Sequence, residues 1–447
     1  MAFLSRLRQR VFPGPSGVFL FRITLLTFVI RLVWNLFIHP PGEFITSDMR
    51  SYWQQSNGML NAPWRPDPGA IFFPYGTAAL LTLVRRLFGT ENHLALGTVY
   101  AILGTLLVPL VFGLARRLTQ GYHLPRIAAV VTCLYYPFIS YGGYYLSELP
   151  FAVCVTATAF YALRLADRGR NRDAWMLGLA FAIGATFRPQ LLASLPLLAV
   201  VWTWRRKSWP AWHKGHWIRL LAPILIVSAV SMGRFHHHTG RWGYISGNSA
   251  LNYAFGRCHA VEIESRAVGY AGSFSPPPMG FLEWRELNRH QSFIRLDPAF
   301  QRKISLRGYL WLPETFDEIT RKCIERTGYV RQVHHAVVHV VMLWGFNNAW
   351  PDSAGGALRF VMLGYLVAHN IIFLVPMVIL ALASVRERFS RHALLALHLV
   401  ALVVVAMLYF GDVRYRVPYD GVLMVLALYG WRYVAGWFVA GRWHGWR

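Results

Sequence analysis

Ionisable residues stand at the margins of apolar segments in four places. Asp48 lies in Ser47-Asp48-Met49-Arg50-Ser51-Tyr52-Trp53, Glu148 in Ser147-Glu148-Leu149-Pro150, Arg188 directly before Pro189, and Asp412, Arg414 and Arg416 in the run Gly411 to Pro418. Charges at such positions are costly and are functional candidates by default. A carboxylate can take a proton from a hydroxyl nucleophile. Guanidinium forks bind phosphate oxygens and stabilise charge on a departing phosphate. Asp48 and Glu148 with Arg188, Arg414 and Arg416 therefore suit a reaction on a lipid phosphate. Plainer roles exist for each: Glu148 can cap a helix N-terminus, and Arg414 and Arg416 can anchor a helix at an interface. Arg31, inside an apolar run, is expected to pair with one of the acids.

Metal chemistry has two sets of candidates. Asp48 and Glu148 could share a divalent ion, the one cofactor the sequence brings into view. His236-His237-His238 and the pair His335 and His339 are the other set. A metalloprotease helix needs Glu after its first His, and Ala336 follows His335. No P-loop, dinucleotide fingerprint or nucleophile elbow is present.

The elements that must position these residues are set by composition. Of 447 residues, 55% are hydrophobic and 15% charged, against roughly 25% charged in soluble domains. About 20 consecutive apolar residues cross a bilayer as a helix. Segments 18–38, 93–115, 127–145, 147–165, 217–234, 358–384, 392–410 and 419–437 qualify. The stretch 174–204 is too long for one crossing and reads as two spans hinged at Arg188-Pro189. Nothing resembling a cleavage site follows the first apolar run, so 18–38 reads as a retained span.

The net charge of +25 would suggest nucleic acid in a soluble protein. Here the basic residues sit in short loops, where they orient the chain, and no nucleic acid is expected. The N-terminus, the turn from Arg116 to Arg126, the loops 164–172, 205–219 and 386–391, and the C-terminal tail are all basic. Placing them all in the cytoplasm requires an even number of spans, about ten. Loop 39–92, with Glu43, Asp48, Asp67 and Glu91 offsetting its arginines, and loop 235–357 are left outside. The expected fold is thus an all-α polytopic membrane protein of about ten transmembrane helices with outer-face amphipathic helices. Residues 1–234 form an N-terminal transmembrane catalytic module, 235–357 a small extracytoplasmic loop subdomain, and 358–447 the C-terminal transmembrane helices. Segment 70–84 is too short to span and reads as an amphipathic or re-entrant helix. Thr315 to Glu318 is a candidate capping box opening a helix over 315–327, and 333–350 reads as lying along the membrane surface. Cys258 and Cys323 share the outer loop, where a disulfide is permitted.

The order of these features resembles the GT-C membrane glycosyltransferases, in particular bacterial relatives of protein O-mannosyltransferases and of the lipid A aminoarabinose transferase. The likeness is carried by Asp48 followed by Tyr52-Trp53, by Phe73-Pro74-Tyr75-Gly76 through Leu87-Phe88-Gly89, and by Ser147 to Pro150. It continues with Gly178 and Gly184 running into Arg188-Pro189, and with Arg414 to Pro418 before a final span. The outer loop, without a large added domain, departs from that pattern.

The resemblance implies a hexosyl or pentosyl transferase of the cell envelope, in the inner membrane with its site facing the periplasm or exterior. Its donor is a sugar on a polyprenyl phosphate, and its acceptor a hydroxyl of a glycan, lipid or protein. Asp48 deprotonates that hydroxyl, the anomeric centre inverts, and the phosphate leaves, held by Arg188, Arg414 and Arg416 or by a metal ion at Asp48 and Glu148. Tyr52 and Trp53 bind the sugar. The competing reading is a transporter or lipid flippase, whose polar residues belong near mid-membrane on broken helices. A structural subunit would leave the paired carboxylates unexplained.

Overall fold

A computed structural model describes residues 14–119, 121–257, 262–267, 270–274, 303–306, 313–344, 364, 367–387, 390–409 and 411–440. The chain is a helical, polytopic membrane protein. Helices α1 (Gly14–Val33), α2 (Ser47–Asn61), α3 (Gly76–Phe88), α4 (His93–Leu118), α5 (His123–Leu134) and the short α6 (Tyr136–Ser140) build its first part. Helices α7 (Glu148–Arg168), α8 (Asn171–Phe187), α9 (Ser194–Arg205), α10 (Gly215–Thr239) and α11 (Ser249–Arg257) follow. Strands β1 (Glu262–Ala267), β2 (Tyr270–Phe274) and β3 (Lys303–Leu306) form a small sheet in the order β2-β1-β3, with β1 antiparallel to β2 and parallel to β3. Helices α12 (Pro313–Trp344), α13 (Val375–Glu387), α14 (Ser390–Leu408), α15 (Val413–Arg416) and α16 (Asp420–Ala440) complete the chain.

Among the described residues, five helical stretches are long and apolar enough to cross a membrane: 16–38, 93–118, 148–168, 215–239 and 391–408. A ten-span count must add shorter or broken helices to these. One such break is where the sequence places it. Arg188 leaves α8 with extended backbone (φ −150°, ψ 108°), and a 3-10 turn Pro189–Ala193 leads into α9. Proline cannot donate its missing N–H and disfavours helical backbone in the residue before it. Another break was not expected. Segment 127–145 is not one helix, because α5 ends at Leu134 and Tyr135 is extended ahead of Tyr136-Pro137.

That second break explains Arg31. The guanidinium makes no ion pair with the site acids, contrary to expectation. It is buried in α1 and donates to the carbonyls of Phe138 and Thr132, the latter at 3.2 Å, on the two sides of the break. Carbonyls in an apolar interior must be satisfied, and here an arginine does it. Gly104 in α4 makes room, since a Cβ there would stand 2.8 Å from Arg31 Nη1.

The core is built around α7, which packs against α4 and α8, while α8 packs in turn against α10. The α8–α10 approach is backbone-close: a Cβ on Gly178 would lie 2.3 Å from the Leu220 carbonyl. Small residues permit such contacts between membrane helices. Segment 70–84 yields the short helix α3 ending in Arg85 and Arg86, and the helix expected over 315–327 is the first part of α12, which breaks at Gly328 (φ 73°). Much of 333–350 is the second part of α12, to Trp344; residues 345–350 lie outside the described residues. Cys133 and Cys154 are free and Cys323 is disulfide-bonded; Cys258 lies outside the described residues.

The bundle has two chemically distinct ends. At one, Asp167 of α7 holds both Arg117 of α4 at 2.8 Å and Arg391 of α14 at 3.1 Å. At the other, α7 begins at Glu148, α8 breaks at Arg188, and the loop 411–418 returns. Asp48, at the start of α2, is at this second end.

Candidate active site

The local geometry of each site residue follows from where its helix begins or stops. Ser47 has positive φ (48°), which turns the chain sharply into α2 and sets Asp48 in its first turn. Such backbone costs about 1–3 kcal/mol for a non-glycine residue and persists only where its surroundings enforce it. Glu148 opens α7. Asp412 is the cap of α15, its Oδ1 accepting from the Arg414 backbone N–H at 2.7 Å.

These termini converge. Arg414 Nη1 donates to Asp48 Oδ2 at 2.8 Å, and Arg414 Nε donates to Glu148 Oε1. Arg188 Nη2 reaches the same Glu148 oxygen at 2.6 Å, and its Nε donates to Ser147 Oγ at 2.9 Å. Two carboxylates and two guanidiniums thus form one neutral chain, Asp48–Arg414–Glu148–Arg188. The carboxylates are unequal in access: the Glu148 side chain is 0% exposed and that of Asp48 26%. Glu148 is locked between its arginines, whereas Asp48 is open to an incoming group. Arg188 keeps one donor nitrogen in reserve, since Nη1 is buried with no hydrogen-bond partner. Its guanidinium lies 5.1 Å from the ring centre of Tyr415.

Electrostatics follow the pairing. Burial alone would lower Arg414, but Glu148 and Asp48 outweigh it and raise the guanidinium well above its ordinary range. Burial pushes the Asp412 carboxyl up, opposed by its hydrogen bond from the Arg414 backbone. Burial, reinforced by Asp48 and Glu148, also pushes the Tyr52 hydroxyl up, so it stays protonated and can donate.

Other candidates are placed differently. Tyr52 is buried beside the four charged residues, and its ring packs on Phe73 (centroids 5.2 Å apart). Its hydroxyl is what it can offer at the site. Trp53 is engaged by protein: Arg85 stands 3.8 Å from its ring centre, and His93 and Tyr145 stack on it. Arg416 is turned away from Glu148 into a buried group of its own. Its Nε donates to Asp420 Oδ1 at 3.2 Å, while Tyr135 donates to Asp420 Oδ2 at 2.6 Å and His369 approaches Asp420. The i, i+4 spacing of Arg416 and Asp420 across the start of a helix was the available signal for this pair.

The donor set does not fit a metal ion shared by Asp48 and Glu148. The guanidinium of Arg414 occupies the place between them, and the two positive charges already balance the two negative ones. No group of three or more His, Cys, Asp or Glu suited to a metal occurs among the described residues. The histidines have other partners: His339 Nδ1 accepts from the Gly411 N–H at 3.1 Å, and His238 Nδ1 from the Asp67 N–H at 3.1 Å.

A cavity of 360 Å³ adjoins the charged cluster. Gln190, Ser246, Asn248, Asn252 and Tyr415 supply its polar side, and Leu402, Val405 and Leu408 of α14 its apolar wall.

The chain is thus a helical membrane bundle whose broken helices bring two carboxylates and two guanidiniums together at one end. Part of the chain matches a family of membrane mannosyltransferases, and its fold is similar to that of a membrane oligosaccharyltransferase. Residues 73–232 match the dolichyl-phosphate-mannose-protein mannosyltransferase family, a stretch that includes Glu148 and Arg188 but neither Asp48 nor Arg414. The fold is similar to that of the archaeal oligosaccharyltransferase AglB from Archaeoglobus fulgidus in complex with an inhibitory peptide and a dolichol-phosphate. That match has TM-score 0.50 and 13% identity over 96% of this chain and 52% of AglB. The apo form of the A. fulgidus enzyme matches with TM-score 0.50 and 13% identity, over 95% and 53% of the two chains. ArnT from Cupriavidus metallidurans bound to undecaprenyl phosphate aligns with TM-score 0.39 and 14% identity, over 96% and 80%. At these identities the likeness is one of fold, and the chain spans about half the length of the oligosaccharyltransferases it matches. No curated protein sequence matches it.

Proposed function

We propose that the protein is an inverting glycosyltransferase that moves a sugar, hexosyl or pentosyl, from a polyprenyl-phosphate donor to an acceptor hydroxyl. The reading places it in the cell membrane, with the Asp48 end facing the periplasm or exterior. The observation that carries it is the division of labour in the chain Asp48–Arg414–Glu148–Arg188: one carboxylate accessible, the other buried between two guanidiniums. The dolichol-phosphate in the similar AglB complex agrees with a lipid-phosphate donor.

In the proposed reaction the acceptor oxygen gives its proton to Asp48 and attacks the anomeric carbon from the face opposite the phosphate. The bond between that carbon and the phosphate oxygen breaks, and the electron pair leaves with the lipid phosphate. Arg188, through its unpartnered Nη1, and Arg414 stabilise the phosphate charge. Glu148 acts through these arginines by fixing both forks. The 360 Å³ cavity suits the donor, with its polar side toward the sugar phosphate and its α14 wall toward the isoprenoid chain. Arg416, paired with Asp420, has a structural place in this scheme, and Trp53 a packing one.

The experiment is transfer by purified protein from a synthetic polyprenyl-phosphate sugar, with donor binding measured in parallel. A general base contributes typically about 10²- to 10⁴-fold. Asp48→Asn should lose activity on that scale while binding donor as the parent does. Near-parental turnover would defeat the assignment.

A further inference from the structure

A second, larger cavity, of 830 Å³, lies between α2, the segment 62–70 that follows it, and the last turns of α10. It is separate from the donor-side cavity and shares no lining residue with it. Two guanidiniums line it, Arg65 and Arg234. Arg234 donates to the Ala70 carbonyl at 2.6 Å and lies 4.9 Å from the ring centre of Tyr75. Neither arginine has a carboxylate within ion-pair distance among the described residues, in contrast to Arg188 and Arg414. Asp67 is the one carboxylate among the residues that line the cavity, so two guanidiniums against it leave a net positive charge there.

The neutral donors are fixed too. His238 accepts from the Asp67 backbone through Nδ1, so in the neutral ring the proton sits on Nε2, on a side chain that lines the cavity. Gln55, buried on the α2 wall, donates to the Ala70 carbonyl, the same oxygen that Arg234 holds, and so fixes the segment that carries it.

The walls are cut back to leave space. Gly58 of α2 and Gly233 of α10 both line the cavity, and a Cβ on either would meet nothing within 4 Å. Glycine in a helix interior costs about 1 kcal/mol relative to alanine, and neither position needs glycine for packing or for its φ.

The cavity also has an apolar, lipid-facing side. Val230 lines it and is 60% exposed, one turn from Ile226, 62% exposed, on a helix long and apolar enough to span. Trp64, 83% exposed, stands at its edge as an interfacial tryptophan does.

We propose that this cavity is a second lipid site, taking the phosphate headgroup of a membrane lipid on Arg234 and Arg65 and its upper acyl chain along Val230. It lies close to the reaction centre. Asp48, Gln55 and Met59 share one face of α2, and the seven residues from Asp48 to Gln55 rise about 10 Å. The lipid headgroup thus sits on the approach to Asp48.

The test titrates the full purified chain in detergent with dioctanoyl phosphatidic acid, dioctanoylglycerol and inorganic phosphate, read calorimetrically. Phosphatidic acid should bind at least about ten-fold more tightly than either, a difference of about 1.4 kcal/mol. Arg234→Gln should weaken it by a similar factor. Gly233→Phe should block it without altering charge, and serves if Arg234→Gln does not fold. Arg414→Ala should leave it unchanged, because that residue belongs to the donor side. Equal binding of dioctanoylglycerol, or undiminished binding by Gly233→Phe, would overturn the site. Inorganic phosphate binding as tightly as phosphatidic acid would overturn the lipid assignment in favour of a free-anion site. Loss of binding in Arg414→Ala with retention in Gly233→Phe would place the lipid in the donor groove and sink the proposal. Failure of Asp48→Asn to reduce transfer touches the catalytic reading alone.

Discussion

Arg414 Nη1 and Asp48 Oδ2 are 2.8 Å apart across 366 positions of sequence. The contact joins the first turn of α2 to the four-residue helix before the last membrane helix. It puts the accessible carboxylate under the control of a guanidinium that Glu148 also holds. Three chain segments distant in sequence must therefore dock together before the two carboxylates and the guanidinium forks share one place.

That dependence makes Arg414 the most sensitive position. Arg414→Ala should reduce transfer by about 10²- to 10³-fold, the scale for removing one preorganised donor to developing charge. Arg414→Lys should rescue only part, because an ammonium is a point charge and cannot span Asp48 and Glu148 as a fork. Measured kcat/KM for both variants checks this. Equal, parental values would make Arg414 an interfacial anchor.

Asp412 separates capping from charge. Asn at a helix cap accepts the same backbone hydrogen bond, whereas Ala loses about 0.5–2 kcal/mol. Burial raises the folded-state pKa of Asp412 above its unfolded value. The stability this contributes is present below the unfolded pKa of about 3.9 and is lost as pH rises through the folded value. At neutral pH Asp412→Asn should therefore be at least as stable as the parent, with the gap narrowing as pH falls toward about 4. Thermal unfolding in detergent at several pH values would show it. A parent more stable than Asp412→Asn at pH 7 contradicts the burial argument.

Trp53 offers a contrast between packing and recognition. With Arg85 over its ring and His93 and Tyr145 stacked on it, Trp53→Ala should destabilise the protein by about 1–3 kcal/mol. The donor KM of the folded fraction should stay unchanged. A raised KM with an unchanged melting temperature would restore Trp53 to the sugar.

Topology can be read at the two ends of the bundle. Asn61 and Arg206 are both exposed, the first at the C-terminal end of α2, the helix that carries Asp48 in its first turn, and the second in a basic loop. Cysteine at position 61 should label in intact cells with an impermeant maleimide, and cysteine at 206 only after permeabilisation. The reverse pattern would put the site in the cytoplasm and remove the proposed reaction with it.

The sequence alone determined the helical membrane class, the hinge at Arg188-Pro189, the amphipathic helix after residue 75 and the short list of residues able to do chemistry. Hydropathy, proline geometry and the cost of charge near a bilayer all act within one segment, so each is legible locally. Tertiary structure decided what joins what. It paired Arg414 with Asp48 and Glu148, turned Arg416 to Asp420 four residues on, covered Trp53 with Arg85, and spent Arg31 on the carbonyls of a broken helix. A guanidinium carries the same charge whichever carboxylate it meets. Its partner is chosen by the packing of helices far apart in sequence, and no local pattern records that choice.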